Sequence, residues 1–113
     1  MLPPRIPKKP KRESRWRSTA HCNFVRSHQC AIADCDGMPI EVAHVRLGSG
    51  AGMSQKPSDW RTVSLCRDHH AEQHRVGERT FWGDFDIDGL MEAFAKASPK
   101  AREIAEAKRE RGE

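Results

Sequence analysis

The chain has 113 residues and a formal net charge of +4, with 4 Cys, 4 Phe, 3 Trp and no Tyr. A single domain of this size has a thin apolar core, and we expect a bound metal or disulfides to stabilise it. No apolar run follows the first residue, which argues against a secretory signal and a membrane span. We therefore expect a reduced, cytoplasmic, metal-binding protein rather than a disulfide-bonded secreted one.

The N-terminal segment is strongly basic. Residues 1–17 contain seven Lys or Arg and one acid, Glu13, which gives +6, so the remaining residues sum to −2. Rich in proline and lysine, this segment cannot bury apolar surface. We expect residues 1–20 to form a disordered arm that contacts nucleic-acid phosphates without sequence specificity. A solubilising or nuclear-targeting tail is the alternative.

Short extended segments are expected to follow the arm. Residues 24–30 are predicted to be extended and to lead into a turn that carries Cys30 and Cys35. Residues 39–47 alternate in polarity and contain β-branched residues, which predicts a strand with His44 and Arg46 on one face. A glycine-rich loop, residues 48–59, lacks the spacing of a nucleotide-binding loop.

A second strand at residues 60–65 is predicted to lead into a histidine-rich helix that ends at Gly77. An aromatic cluster follows, and its side chains are expected to pack under that helix rather than to stack on bases: Phe81, Trp82 and Phe85. Asp88 is predicted to cap the next helix. Ser98 and Pro99 should end that helix and begin a solvated one over residues 98–113.

Residues 65–74 contain one cysteine and three histidines. On a helix, residues three or four apart share a face, so Cys66 pairs with His69 while His70 pairs with His74. A structural zinc ion needs four ligands, usually two from each of two segments. The predicted set is Cys30, Cys35, Cys66 and His69. His70 remains an alternative to His69, although its use would leave His74 without a partner.

Thirty residues separate Cys35 from Cys66, far more than in a DNA-reading zinc finger of the C2H2 type. The order of cysteine turn, strand with His44, loop, second strand and histidine-rich helix instead resembles the HNH (His-Me finger) endonucleases. Residues 52–59, with the helix that follows and Gly77, look like the phage and prophage group related to the recombination-enhancement-function nuclease. The resemblance covers residues 22 to about 90.

The resemblance implies an α+β fold of the ββα-metal type, stabilised by a structural zinc ion, over residues 21–97. It also implies metal-dependent hydrolysis of DNA phosphodiesters in a bacterial or phage-infected cell. His44 would be the general base, and His70 with His74 would hold Mg²⁺ or Mn²⁺, or a second Zn²⁺. The other possibility for His44 is an ordinary, partly buried histidine with a hydrogen-bond partner.

Two positions depart from the family pattern. Ala43 stands where many members have an acid or a histidine, so one metal ligand is missing or comes from elsewhere. Arg61 stands near the position of the asparagine that orients the base, and a guanidinium cannot accept a hydrogen bond. Asp59 is the nearest substitute. Arg46, on the face of His44, is expected to bind the scissile phosphate.

Two rival functions compete with a nuclease. The first is a zinc-stabilised nucleic-acid-binding module without activity, which would suit Ala43 and the missing asparagine but leaves the three histidines without a shared purpose. The second is a structural zinc protein that acts through its C-terminal helices, which would need an exposed apolar stripe there. The sequence does not identify a partner protein that would act with this chain in recombination.

Overall fold

A computed structural model describes residues 15–49 and 56–112. In that part of the chain a two-stranded antiparallel sheet packs with five helices, a small α+β arrangement as expected. The elements are α1 (Thr19–Arg26), β1 (Ile40–His44), β2 (Thr62–Cys66), α2 (Arg67–Val76), α3 (Glu78–Trp82), α4 (Ile87–Ala97) and α5 (Ala101–Arg111). Residues 1–14 of the predicted arm and the centre of the glycine-rich loop, residues 50–55, lie outside the described residues.

The two strands form a hairpin and α2 follows β2 directly. Ile40 lies opposite Cys66, and His44 lies opposite Thr62. Every residue of β2 is buried, whereas β1 buries Ile40 and Ala43 and leaves its other residues partly exposed. Because neighbouring strand residues point to opposite faces, burial of Ala43 in the core turns His44 away from it. Both predicted strands are confirmed, with ends shifted by one to three residues.

The extended segment predicted at residues 24–30 is wrong at its start, because residues up to Arg26 belong to α1. Ser18 caps this helix, and its side chain accepts the backbone N–H of His21. His21 and Val25, four residues apart, are buried on one face. The helix signal lies mostly in residues 18–23, ahead of the segment that suggested a strand.

The histidine-rich helix is confirmed as α2, with Gly77 at its C-terminal cap. The predicted cap for the next helix, Asp88, is wrong. Asp86 caps α4 instead, and its carboxylate accepts the Gly89 N–H at 2.9 Å. Ser98 does end α4, but α5 begins only at Ala101, so Pro99 precedes the helix instead of opening it.

Two apolar clusters hold these elements together. The main core lies between the hairpin and helices α1, α3 and α4, and includes Val25, Leu65, Trp82 and Phe94. Trp82 is buried as predicted, whereas Phe85 is 50% exposed. A second cluster joins Trp60 and Ala95 to Ile104 of α5, with Trp16 at its edge. The C-terminal helix, predicted to be solvated, is thus attached through Ile104, which is 2% exposed.

None of the helices in the described ranges combines the length and apolar character that crossing a membrane requires.

Candidate metal centre and histidine cavity

Three cysteines and one histidine converge at the start of α2. In this cysteine cluster, the His69 Nδ1 atom lies 3.4 Å from the Sγ atoms of Cys30 and Cys35 and 3.2 Å from that of Cys66. Around a tetrahedral zinc, with bonds of about 2.0 to 2.3 Å, ligand atoms are roughly 3.5 to 3.8 Å apart. The four ligand atoms lie within 4.8 Å of one another. The set can therefore hold a metal ion such as zinc.

Local structure brings these ligands together. Cys66 ends β2 and is the N-cap of α2, so its Sγ accepts the His69 backbone N–H at 3.4 Å. The turn that carries Cys30 and Cys35 is tied to β2, because Ala31 N–H donates to the Ser64 carbonyl at 2.8 Å. The backbone therefore holds the turn beside the end of β2, where the two pairs of ligands meet.

Gly37 lets the chain pass close to the sulfur atoms. A Cβ atom at this position would lie 3.0 Å from the Cys66 Sγ and 3.3 Å from the Cys35 Sγ. Its backbone N–H also points to the Cys35 Sγ, at 3.4 Å. Such N–H donors suit sulfur that carries negative charge, which is the form that binds metal.

The structure separates the two adjacent histidines of α2. His69 joins the cysteines, whereas His70 lies near His74, with 3.2 Å between their Nε2 atoms. Two nitrogens bound to one ion at about 2.1 Å are roughly 3.0 to 3.4 Å apart. The pair predicted from helical spacing is therefore close enough to share an ion. Among the described residues, the cysteine cluster is the one group of three or more potential ligands whose donor atoms converge this closely.

Glu41 of β1 contacts His70 and was not singled out from the sequence. Its Oε1 atom lies 2.8 Å from the His70 Nδ1 atom. A carboxylate that accepts the Nδ1–H leaves the lone pair on Nε2, the atom nearest His74. This carboxylate–histidine arrangement is typical of histidines that bind metal. Only the packing of α2 against β1 could reveal it, because twenty-nine positions separate the two residues.

His44 is in contact with Asp59, the expected substitute for the missing asparagine. The His44 Nε2 atom lies 2.8 Å from the Asp59 Oδ1 atom. Because an ionised carboxylate only accepts hydrogen bonds, this contact places the imidazole proton on Nε2 and leaves Nδ1 as the basic atom. The arrangement can orient a general base.

Asp59 is ionised at neutral pH. Burial by itself would raise the pKa of this carboxyl, but hydrogen bonds from His44 and from the Ser18 N–H outweigh burial, and the charges of His44 and Arg17 add to them. Together they lower the pKa of Asp59 from 3.8 to about 2.

Burial, and to a smaller extent the charge of the nearby Asp59 carboxylate, raises the pKa of the Cys22 thiol to about 11. Cys22 therefore stays a protonated thiol outside the cysteine cluster.

A cavity of about 440 Å³, lined mostly by side chains with polar groups, brings the remaining predicted residues together. The side chains that line this histidine cavity are His44, Arg46, Lys56, His70, Gln73, His74 and Glu78, together with Val42. The predicted base, phosphate ligand and ion ligands thus border one space. The Glu78 carboxylate accepts the Arg46 backbone N–H at 2.7 Å, which fixes the chain just after β1.

The two departures from the HNH pattern have structural explanations. Ala43 is fully buried in the core and lies on the face opposite the cavity. Arg61 donates from Nε to the Val45 carbonyl at 3.1 Å and from Nη2 to the Leu47 carbonyl at 2.6 Å. Its guanidinium therefore stabilises the turn between β1 and the loop and does not contact His44.

Similar sequences occur in known proteins. A family described as "Protein of unknown function (DUF968)" matches residues 3–82. A relative from Escherichia coli (strain K12), "Uncharacterized protein YdfU", is 40% identical over 68 residues, which are 59% of this chain and 18% of the relative. The chain thus spans less than a fifth of that relative's length. No solved structure matches the chain.

Proposed function

The chain belongs to the DUF968 family, and we propose that it is a metal-dependent HNH-type endonuclease that hydrolyses DNA phosphodiester bonds. The observation that carries the proposal is the contact between His44 and Asp59 at the edge of a cavity that His70 and His74 also line. A base held by a carboxylate next to a pair of imidazoles suits such hydrolysis, because it could combine general-base catalysis with a bound metal ion. The order β1, β2, α2 matches that of the ββα-metal resemblance.

In the proposed reaction, His44 Nδ1 takes a proton from water as the water oxygen attacks phosphorus. The new P–O bond forms while the bond from phosphorus to the departing 3′ oxygen breaks, and that oxygen takes a proton from solvent water to leave as a hydroxyl group. Asp59 stabilises the imidazolium that results, because its carboxylate already accepts the Nε2–H. Arg46, which is exposed and lines the same cavity as His44, would bind a non-bridging phosphate oxygen.

His70 and His74 would hold a divalent ion, with Glu41 as the partner that fixes the tautomer of His70. A bound ion would stabilise negative charge on the phosphate, while water and substrate would complete its coordination. The cysteine cluster would hold a second, structural zinc. Its ligands face one another and leave no open position, which suits stabilisation and not catalysis.

A non-catalytic nucleic-acid-binding module is the second candidate. It is favoured by the burial of Ala43, because only two imidazoles then supply the ion in the histidine cavity. The basic segment of residues 1–14 would supply phosphate contacts in either case.

Nicking of supercoiled plasmid by the zinc-loaded full chain tests the proposal. We expect nicked circles to accumulate with added Mg²⁺ or Mn²⁺ and none to form when the added ion is omitted. Native mass spectrometry on the same samples would record whether the structural zinc is retained. If no divalent ion supports nicking of plasmid, single-stranded or branched DNA, while DNA still binds, the binding module replaces the nuclease.

A further inference from the structure

The residues that join the basic arm to α1 are bound to the segment that carries Asp59. We call Trp16, Arg17 and Ser18 the N-terminal anchor. Trp16 donates its N–H to the Ser58 Oγ at 3.2 Å, and its carbonyl accepts the Asp59 N–H at 3.0 Å. The Trp16 ring also packs beside Trp60, with 5.5 Å between ring centroids. These residues, which the sequence assigned to the arm, are therefore part of the folded site.

The anchor contacts the Asp59 side chain as well as its backbone. Ser18 N–H donates to Asp59 Oδ2 at 2.8 Å, while Oδ1 is the atom that contacts His44. Arg17 Nη1 lies 3.4 Å from Oδ1 and also donates to the Pro57 carbonyl. Its Nη2 donates to the Lys56 carbonyl at 2.9 Å. One guanidinium thus ties three positions of the segment before the second strand to the anchor.

We propose that Arg17 and the Ser18 N–H are positioning groups that hold Asp59 so that its Oδ1 atom fixes the tautomer of His44. The inference rests on the proposed function and extends it to residues outside the HNH-like segment. A buried carboxylate that contacts only one imidazole is free to rotate about its Cβ–Cγ bond. With Oδ2 held by a backbone N–H and the chain held by Arg17, that rotation is restricted.

Arg17 is also suited to this role by its charge. Its side chain is 44% exposed, whereas that of Asp59 is 7% exposed. The cation therefore stands at the boundary between solvent and a buried anion and offsets part of the cost of burying it. Loss of the guanidinium would favour both rotation of the carboxylate and exchange of the imidazole proton between the two ring nitrogens of His44.

A comparison of Arg17→Ala with Arg102→Ala, the loss of an exposed arginine on α5, tests the inference in the full chain. We expect Arg17→Ala to lower kcat for plasmid nicking about tenfold with KM nearly unchanged, the lower end of the roughly 10- to 100-fold cost of losing an outer partner that orients a metal-binding histidine. Arg102→Ala should retain the parent kcat. Arg17→Lys, which keeps the charge near Asp59, should recover part of the loss.

A double-mutant cycle shows whether Arg17 acts through Asp59. In an Asp59→Asn background, Arg17→Ala should lower kcat less than twofold further. If the two losses multiply instead, Arg17 acts by another route and the inference is wrong. Far-ultraviolet circular dichroism and zinc content, measured for every variant, would identify a loss that is due to unfolding.

Nuclear magnetic resonance of ¹⁵N-labelled imidazoles gives a readout that does not need cleavage. The parent chain should show His44 with its proton on Nε2, and Arg17→Ala should show a mixture of the two tautomers with Arg102→Ala unchanged. A parent chain that never nicks DNA would overturn the proposed function alone. A folded Arg17→Ala variant with the parent His44 tautomer would overturn the anchor inference whether or not the chain is a nuclease.

Discussion

The cysteine cluster and the histidine cavity are adjacent on α2 but differ in how complete their ligand sets are. His69 lies within 3.4 Å of three sulfur atoms, so four ligands already converge on one point. Within the described ranges, His70 and His74 form a pair without a third convergent ligand, and they line a cavity of about 440 Å³. Consecutive residues of a helix point about 100° apart, which is enough to direct His69 and His70 to separate sites.

Under the proposed function, one short helix serves both stability, through His69, and chemistry, through His70 and His74. A closed set of soft ligands binds an ion tightly and excludes substrate, whereas an open pair leaves positions for water and phosphate. Changes in the cysteine cluster should therefore affect folding, and changes in the histidine cavity should affect cleavage with little effect on folding.

The largest expected effect is on the closed site. Cys66→Ser should unfold the domain, because structural zinc contributes about 10 to 16 kcal/mol in small zinc-binding domains while a domain's net stability is about 5 to 15 kcal/mol. Circular dichroism and native mass spectrometry would record the loss of structure and zinc together. Cys22→Ser, which changes the one cysteine outside the cluster, should keep its zinc. A parent chain that is folded without metal, or that has disulfides among these cysteines, would contradict the assignment of Cys66 to a structural zinc site.

Substitutions in the histidine cavity should lower DNA cleavage without unfolding the domain. His44→Ala should lower cleavage about 100-fold or more while fold, zinc and DNA binding persist, and excess Mn²⁺ should not restore it. His74→Ala should weaken the added ion, so that high Mn²⁺ restores part of the activity. Titrating Mn²⁺ against nicking rate for both variants distinguishes the two roles. If His44→Ala cleaves DNA as fast as the parent chain, His44 is not the general base.

The ionised Asp59 should link the histidine cavity to stability in acid. A pKa lowered from 3.8 to about 2 means that the folded chain favours the carboxylate. This contribution, roughly 2 kcal/mol, is complete above about pH 4 and is lost as the pH falls through about 2. Because acid also releases zinc, urea unfolding of the chain and of Asp59→Asn should be compared at each pH. Asp59→Asn should be less stable at neutral pH, and the difference should shrink towards pH 2. If the difference in unfolding free energy between the two chains does not change with pH, the lowered pKa of Asp59 does not contribute to stability.

The smallest expected effect concerns residues 1–14 of the basic arm. Deleting them should reduce the slope of log affinity against log salt by about 0.9 for each phosphate that the arm neutralises. The deletion stops at residue 14 because Trp16, Arg17 and Ser18 are bound to the Asp59 segment. Filter binding at several salt concentrations measures the slope. An unchanged slope would exclude the arm as a DNA-binding segment.

Much of the candidate site followed from spacing along the chain. Helical periodicity separated His69 from His70 and paired His70 with His74, because three- and four-residue spacings put side chains on one face whatever the rest of the fold does. Thiol and imidazole chemistry then nominated Cys30, Cys35, Cys66 and His69 as a zinc set, and these residues do converge. Alternation placed His44 on the face of β1 away from the buried Ala43.

Helix boundaries were less predictable. Asp86 and Asp88 are both able to cap α4, and only the path of the chain decided for Asp86. The start of α1 was missed because the Ser18 cap lies in the segment predicted to be a disordered arm, while Val25, which shares a buried face with His21, lies in the segment predicted to be extended.

The sequence by itself determined which chemical groups α2 carries and how they divide between two faces, because that division depends only on local backbone geometry. The tertiary structure alone decided two distant contacts, Glu41 with His70 and the N-terminal anchor with Asp59, and it brought His44 into contact with Asp59, the partner that the sequence had suggested. The contact between Ser18 of the anchor and Asp59 joins residues 41 positions apart. No local periodicity encodes such contacts, since they arise where separate elements pack and buried polar groups must find hydrogen-bond partners.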